Sequence, residues 1–297
     1  CRPAPRHRRP HRCRNGGISM KICLLAESAT NPVLSSVLDA LAERHSVTVS
    51  DPRAMAPALA RSAFPRDDLA DVYLLKSRSP EAQTVAYSAE RAGAVVVNGP
   101  RATGAALDRW AMATMLDLAG VPAPRTWAFP TLTLMARDVL AQRFLPWPLV
   151  IKSRTSSRGD LVTLVRDLHA LLELVPEWGD EPVIAQEFVA NDGFDIKCWV
   201  IGGELSAARR PGALEVLDKT SDVALDPDQI PAEWSRVAFA AGSALGLNLF
   251  GVDLLITERG PIVIDVNAFP GFRGAHDPAA SMVRFLESHA AESMVAS

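Results

Sequence analysis

The richest run of reactive side chains is Phe250-Gly251-Val252-Asp253-Leu254-Leu255-Ile256-Thr257, then Glu258-Arg259-Gly260, then Pro261-Ile262-Val263-Ile264-Asp265-Val266-Asn267. Two apolar strands flank the central triplet, which suits a three-residue hairpin loop with glycine at its left-handed position. If Thr257 pairs with Pro261, Asp253 pairs with Asp265. Asn267, two residues on, then shares their face. Opposed carboxylates in an apolar hairpin repel each other and lose hydration. A hard divalent cation offsets both costs. Two carboxylates and an amide carbonyl are the oxygen donors Mg²⁺ takes while sharing phosphate oxygens. The plain alternative is one aspartate in solvent at a strand end, with nothing bound.

Lys152 is the second signal. Beyond residue 19 the chain has five lysines (Lys21, Lys76, Lys152, Lys197 and Lys219), and Lys152 ends the apolar strand Pro148–Lys152. A lysine there, before the hydroxyls and arginines of Ser153–Gly159, could meet phosphates. With one glycine, that loop is a weak cradle, and a solvated turn explains it equally well. No Ser/His/Asp or Cys/His set argues for a covalent nucleophile. Cys23 and Cys198 sit in apolar strand-like runs and read as packing. His45, His169, His276 and His289 are scattered, with His276 near the run after Asn267.

The elements that must position these residues read as alternating strands and helices from Met20 onward. Strands are expected near 21–27, 47–49, 72–75 and 94–97, with helices over 32–45 and 80–92, which is a βαβ pattern with a parallel sheet. A helix over 104–119 ends at Gly120, because Pro122 and Pro124 forbid its continuation. Strands at 148–152, 161–165 and 182–189 surround a helix at 167–174. A hairpin over 195–210, a helix at 232–246, the 250–267 hairpin and a helix at 277–290 follow. Residues 211–231 carry Asp218, Asp222, Asp226 and Asp228 and read as an irregular, mobile loop. The expected division is a basic leader over 1–19, an N-terminal α/β domain over 20–102, and two α+β parts over 103–187 and 188–297.

The chain has 297 residues and a formal net charge of −3. Six of its 31 basic residues are arginines within residues 1–19, which hold no acid. The remainder carries 25 basic against 34 acidic residues. An acidic body argues against nucleic acid as the main partner, since phosphate-backbone binding needs a cationic face. No apolar run approaches the ~20 residues that span a bilayer. The cysteine pattern lacks a disulfide framework and fits a reducing cytoplasm. The leader lacks the apolar stretch of a secretory signal. It is expected to be disordered, or to lie upstream of a natural start at Met20.

In this order the motifs resemble those of ATP-grasp enzymes, from about Lys21 to Arg284. DVYLLKSRS, AGAVVVNGPRATGAALDRW and LAGVPAPRTW resemble the entry to RimK-type and lysine-biosynthesis-type glutamate ligases. PLVIKSR, VIAQEFV, DIKCWVIGGEL and FGVDLL with PIVIDVNAFPGF resemble, in turn, the strand whose lysine touches ATP, the adenine segment, the next strand pair and the metal hairpin. The resemblance implies an ATP-grasp fold: an N-terminal parallel-sheet domain followed by two α+β subdomains that clamp ATP. It implies ATP and one or two Mg²⁺ ions, with Mn²⁺ as a substitute, held by Asp253, Asp265 and Asn267. It places Lys152 at the α/β-phosphates, and Gln186, Glu187, Phe188, Val189, Asp195 and Lys197 around the nucleotide, with Asp195 offset by one residue from the family position. Arg210 would meet the γ-phosphate or an acyl-phosphate. Gly271, Arg273 and Arg209 would face a small carboxylate or amino-acid substrate whose acyl-phosphate an amine then attacks. An assembly of several copies is compatible with this scheme.

Two departures from the ligase pattern stand out. Arg109 occupies the place of a nucleotide-binding lysine, and the loop after Lys152 is poor in glycine. Asp108-Arg109, Lys152-Ser153-Arg154, Arg210-Pro211 and VIDVNAFPGF also resemble inositol trisphosphate kinases. Those kinases carry a histidine in the glycine loop, which this loop lacks, and further basic residues for a polyphosphate, some of which Lys197, Arg209, Arg210 and Arg273 could supply on this acidic body. A nucleotide-binding module without activity is the third reading, and the intact Lys152, Asp253, Asp265 and Asn267 argue against it.

Overall fold

The computed structural model describes residues 11–12, 18–28, 31–59, 69–141, 144–155, 161–212 and 222–296. The chain runs β1 (His11–Arg12), β2 (Ile18–Ser19), β3 (Lys21–Leu25), α1 (Pro32–Ala42), β4 (Ser46–Ser50), α2 (Pro52–Leu59), β5 (Val72–Leu75), α3 (Pro80–Arg91) and β6 (Val95–Val97). Then come α4 (Pro100–Leu107), α5 (Arg109–Leu118), β7 (Thr126–Phe129), α6 (Leu132–Leu140), β8 (Leu149–Ser153), β9 (Val162–Val165), α7 (Leu168–Trp178) and β10 (Val183–Glu187). The last elements are β11 (Phe194–Ile201), β12 (Glu204–Pro211), β13 (Val223–Leu225), a 3-10 turn (Pro227–Gln229), α8 (Ala232–Leu245), β14 (Leu249–Thr257), β15 (Gly260–Ala268) and α9 (Pro278–Ala296). Among the described residues no helix is long and apolar enough to cross a membrane. Within the leader, β1 and β2 pair antiparallel, so those four residues are ordered into a short ladder. The other leader residues apart from the two strands lie outside the described set.

The chain forms two compact units, Cys1–Pro100 with Asp277–Ser297, and Arg101–His276. The first unit holds a parallel sheet in the order β4-β3-β5-β6. Ile22-Cys23-Leu24-Leu25 and Val72-Tyr73-Leu74-Leu75 are apolar without alternation because both faces of such a sheet are covered. The α1 helix starts where the Asn31 side chain accepts from the amides of Val33 and Leu34, and it buries Leu34, Val37, Leu38 and Leu41 as one stripe. The terminal helix α9 belongs to this unit: His45 Nε2 meets Glu287 at 3.2 Å and Arg44 meets the same carboxylate at 2.8 Å.

The second unit carries two antiparallel sheets, β7-β10-β8-β9 and β13-β12-β11-β14-β15. The single helix expected over 104–119 is two helices. Asp108 breaks it: its carboxylate caps α5 through the amides of Trp110 and Ala111 and forms an ion pair with Arg154 at 2.7 Å. An aspartate that captures backbone amides this way starts a helix rather than continuing one. The stretch 211–231 is not wholly irregular, because β13 pairs with β12. Residues 213–221, the middle of the expected 211–231 loop, lie outside the described residues. In each sheet the odd–even alternation separates a core face from an open face. Phe129, Leu149, Ile151, Val183 and Ala185 pack with α6 and α7 on one side of the first sheet. Ile196, Cys198, Val200, Ala207, Val252, Leu254, Val263 and Val266 pack with α8 on one side of the second. The remaining faces carry the polar residues of interest.

Candidate active site

The open face of the five-stranded sheet is organised in three cross-strand rows. The register sets them: Arg210, Asp195 and Leu255 stand opposite one another, with Ile262 beside Leu255; Ala208, Lys197, Asp253 and Asp265 form the second row; Ser206, Trp199, Gly251 and Asn267 form the third. Directly opposed residues share a face, so this follows from pairing alone.

The hairpin that presents Asp253 and Asp265 differs from the expected one in its turn. Thr257 pairs with Gly260, not Pro261, across a two-residue loop, and Gly260 takes φ 102°. Continued without interruption, that register would oppose Asp253 to Ile264 and turn Asp265 into the core. A β-bulge between the Leu254–Val263 and Asp253–Asp265 pairs absorbs one residue, Ile264, and restores the expected pairing. Asp253, Asp265 and Asn267 therefore share the open face by a different route from the one read in the sequence.

The bulge has a second consequence. Lys152, on β8 of the other sheet, donates from Nζ to the Ile264 carbonyl at 3.0 Å. Lys152 is 8 % exposed. Burial pushes its ammonium below the usual lysine range, with Asp265 the strongest opposing influence. Arg109 is buried beside it and donates from Nη1 to the Ser153 carbonyl at 2.8 Å. Ser156–Gly159, the rest of the expected phosphate loop, lie outside the described residues.

The middle row is densely charged. Lys197 Nζ lies 2.5 Å from Asp253 Oδ1, and Arg210 Nη2 lies 2.9 Å from Asp253 Oδ2 and 3.9 Å from Asp195. Burial works to raise the Asp253 carboxyl, but Lys197 and Arg210 outweigh it and hold it below the usual carboxylate range. Asn267 Nδ2 donates to Asp265 Oδ2 at 2.9 Å, which orients the amide and the carboxylate together. Two carboxylates and an amide on one face, with cations paired to them, suit a hard cation with oxygen ligands. Among the described residues no three His, Cys, Asp or Glu side chains gather as a metal cluster, and the set here is two carboxylates and an amide. Burial pushes the Cys198 thiol up to about 12, which keeps it neutral and agrees with a packing role.

Two clefts flank the charged row. The first lies between the open faces of the two sheets. Val150, Val162, Leu255 and Ile264 form its apolar walls, and Lys152, Gln186, Asp195 and the segment Glu187–Val189 supply polar groups. The second is lined by Lys197, Trp199, Ala208, Asp222, Ala224 and Pro270–Gly274. An apolar slot with a few convergent polar groups is the usual form of a small-molecule site. Sequence reading missed Trp199, Leu255 and Ile264. Trp199 was findable, since it follows Asp195 and Lys197 at the two-residue spacing of one face.

The comparisons with known proteins agree with this geometry. The RimK-like ATP-grasp domain model matches residues 106–283. The chain belongs to the RimK-like ATP-grasp family. It is 31% identical over 209 residues to a probable alpha-L-glutamate ligase of Syntrophotalea carbinolica, covering 65% of this chain and 67% of that one. It is 32% identical over 155 residues to the ribosomal protein bS6–L-glutamate ligase of Salmonella paratyphi B, covering 48% and 51%. Thus the chain matches between half and two thirds of the length of these ligases. A RimK domain ATP-grasp protein from Sphaerobacter thermophilus shares the fold, with TM-score 0.70, 23% identity and coverage of 89% and 98%.

Within this ATP-grasp frame, most of the expected residues converge and one does not. Lys152, Gln186, Glu187, Phe188, Val189 and Asp195 border the first cleft, while Lys197, Gly271 and Arg273 border the second. Glu187 is also paired with Arg125 at 3.0 Å. Arg109 stands near Lys152 but bonds a backbone carbonyl. Arg209 is the exception. It neighbours Arg210 on β12 and so faces the opposite side, where it pairs with Asp192 at 3.0 Å and stacks over Phe194 at 3.6 Å. Strand alternation makes two adjacent arginines unable to serve one pocket. Arg209→Ala is expected to leave turnover within about twofold and to cost less than ~1 kcal/mol of stability, the usual value of an exposed pair. Steady-state rates and a thermal melt check this.

Proposed function

We propose that this RimK-like ATP-grasp protein is an ATP- and Mg²⁺-dependent carboxylate–amine ligase working in the reducing cytoplasm. The observation that carries the reading is the placement of the charged row, Lys197, Asp253 and Asp265 with Arg210, between two clefts on one sheet face. A nucleotide in the first cleft and a carboxylate in the second would meet over that row. Asp253, Asp265 and Asn267 would hold the ion. When bound, Mg²⁺ would supply charge neutralisation to the nucleotide's phosphates. Lys152 would contact the α/β-phosphates, and Glu187 with the Val189 backbone would hold adenine. Arg210 would stabilise the charge on the transferred phosphoryl group.

A substrate carboxylate oxygen attacks the γ-phosphorus, and the bond from that phosphorus to the β–γ bridging oxygen breaks, leaving ADP. The acyl-phosphate that forms is then attacked at its carbonyl carbon by an amine. The carbon–oxygen bond to phosphate breaks, the amine loses a proton, and an amide and free phosphate result. The protein contributes orientation and cationic stabilisation. The relatives named as glutamate ligases make an amino acid the first substrate class to offer.

The products test this. A ligase releases ADP and free phosphate in equal amounts only when a carboxylate and an amine are both supplied. ADP formation driven by a single polyol phosphate, with no free phosphate, would overturn the reading.

A further inference from the structure

We propose that Lys197 is the resident counter-cation of the metal site, and that an arriving divalent ion displaces its ammonium from Asp253 into the second cleft. This rests on the metal reading of Asp253, Asp265 and Asn267 given above. Both carboxylate oxygens of Asp253 are already engaged, Oδ1 by Lys197 and Oδ2 by Arg210. An ion ligated to Oδ1 would stand against an ammonium 2.5 Å from the same oxygen. Two cations so close in a buried site repel strongly, so one leaves.

The geometry selects Lys197 as the one that moves. Its charge is a compact group on a flexible four-carbon stem, whereas Arg210 is planar and lies between Asp253 and Asp195. A glycine seats the ammonium where it now lies, beside the cleft it would enter. The strand position opposite Trp199 is Gly251, where a Cβ would lie 3.2 Å from Lys197 Cε and 3.3 Å from Nζ. The end of the lysine occupies the volume that a side chain there would fill. Lys197 also lines the second cleft together with Trp199 and Arg273. Metal arrival would thus deliver a cation to the cleft assigned to the acyl substrate. In the metal-free protein the same ammonium is the counter-charge on one oxygen of Asp253, with Arg210 on the other.

Mn²⁺ titrations without nucleotide, followed by the electron paramagnetic resonance of free Mn²⁺, test this in wild type, Lys197→Met, Lys197→Arg and Asn267→Ala. Removing the competing charge is expected to tighten Mn²⁺ binding by about tenfold in Lys197→Met. Lys197→Arg keeps the charge and is expected to stay near the wild-type affinity. A purely structural lysine would leave Mn²⁺ affinity unchanged or weaken it on substitution. Either outcome in Lys197→Met, with a near-native thermal melt, overturns the proposal. Equal tightening in Lys197→Arg overturns it as well, because charge would not be the cause. Asn267→Ala separates the two levels: weaker Mn²⁺ binding there upholds the site itself, and unchanged binding removes the metal reading and this proposal with it.

Discussion

Asp265→Asn is expected to lower turnover by at least about a hundredfold, the scale seen when one group that stabilises transition-state charge is lost. Asn267→Ala is expected to have a comparable effect. The reason lies in the row geometry. Asp265 opposes Asp253 directly, and Asn267 shares its face and donates to it at 2.9 Å. Replacing Asp265 by asparagine preserves shape and removes one negative charge from a set that would hold a dication. The change lies on the open face, away from the packed face formed by Val252, Leu254, Val263 and Val266. A melting temperature within a few degrees of wild type is therefore expected. Steady-state rates at saturating Mg²⁺ and ATP, paired with calorimetric melts, provide the measurement. Near-normal turnover in both variants would remove the metal assignment.

Lys152→Met carries the second large effect. The lysine is buried and its Nζ contacts the Ile264 carbonyl, so the ammonium is held at the junction of the two sheets and beside the first cleft. A hydrogen bond to a charged group contributes about 1.5–3 kcal/mol. Its loss corresponds to roughly ten- to a hundredfold weaker ATP binding. Methionine keeps the stem and fills the same volume, so the fold should tolerate it, and the Ile264 carbonyl loses a donor at one point only. Isothermal titration with ATP and Mg²⁺ reads the effect directly. An affinity within twofold of wild type would show that Lys152 braces the bulge rather than binding phosphate. The same variant should retain Mn²⁺ binding in the absence of nucleotide, which distinguishes a nucleotide contact from general collapse of the site.

Much of the fold was legible because it depends on local pattern. The unbroken apolar runs at 22–25 and 72–75 reveal a doubly covered parallel sheet, and the stripe Leu34, Val37, Leu38, Leu41 reveals the helix beside it. The break at Asp108 was not legible, because a helix-compatible window there competes with a capping carboxylate whose partner, Arg154, is 46 residues away. The short elements β7 and α6 escaped for a related reason. A four-residue strand, Thr126–Phe129, is too brief to show alternation. The last helix reads correctly as a helix, but its place in the first unit depends on contacts with residues such as Arg44 and His45.

For the site, the sequence by itself determined the residue types and their parity along each strand. Asp195, Lys197 and Trp199 share a face by spacing, as do Asp265 and Asn267, and Arg209 cannot share one with Arg210. Tertiary structure alone decided how those faces meet. The pairing of Asp253 with Asp265 depends on a bulge at Ile264, and a bulge leaves no mark in composition because any residue can be the extra one. The same bulged carbonyl receives Lys152 from a different sheet, a contact spanning 112 residues. Periodicity acts over a few residues, whereas register and charge pairing are settled by the packing of distant strands. The sequence therefore names the chemistry, and only the folded chain aligns it.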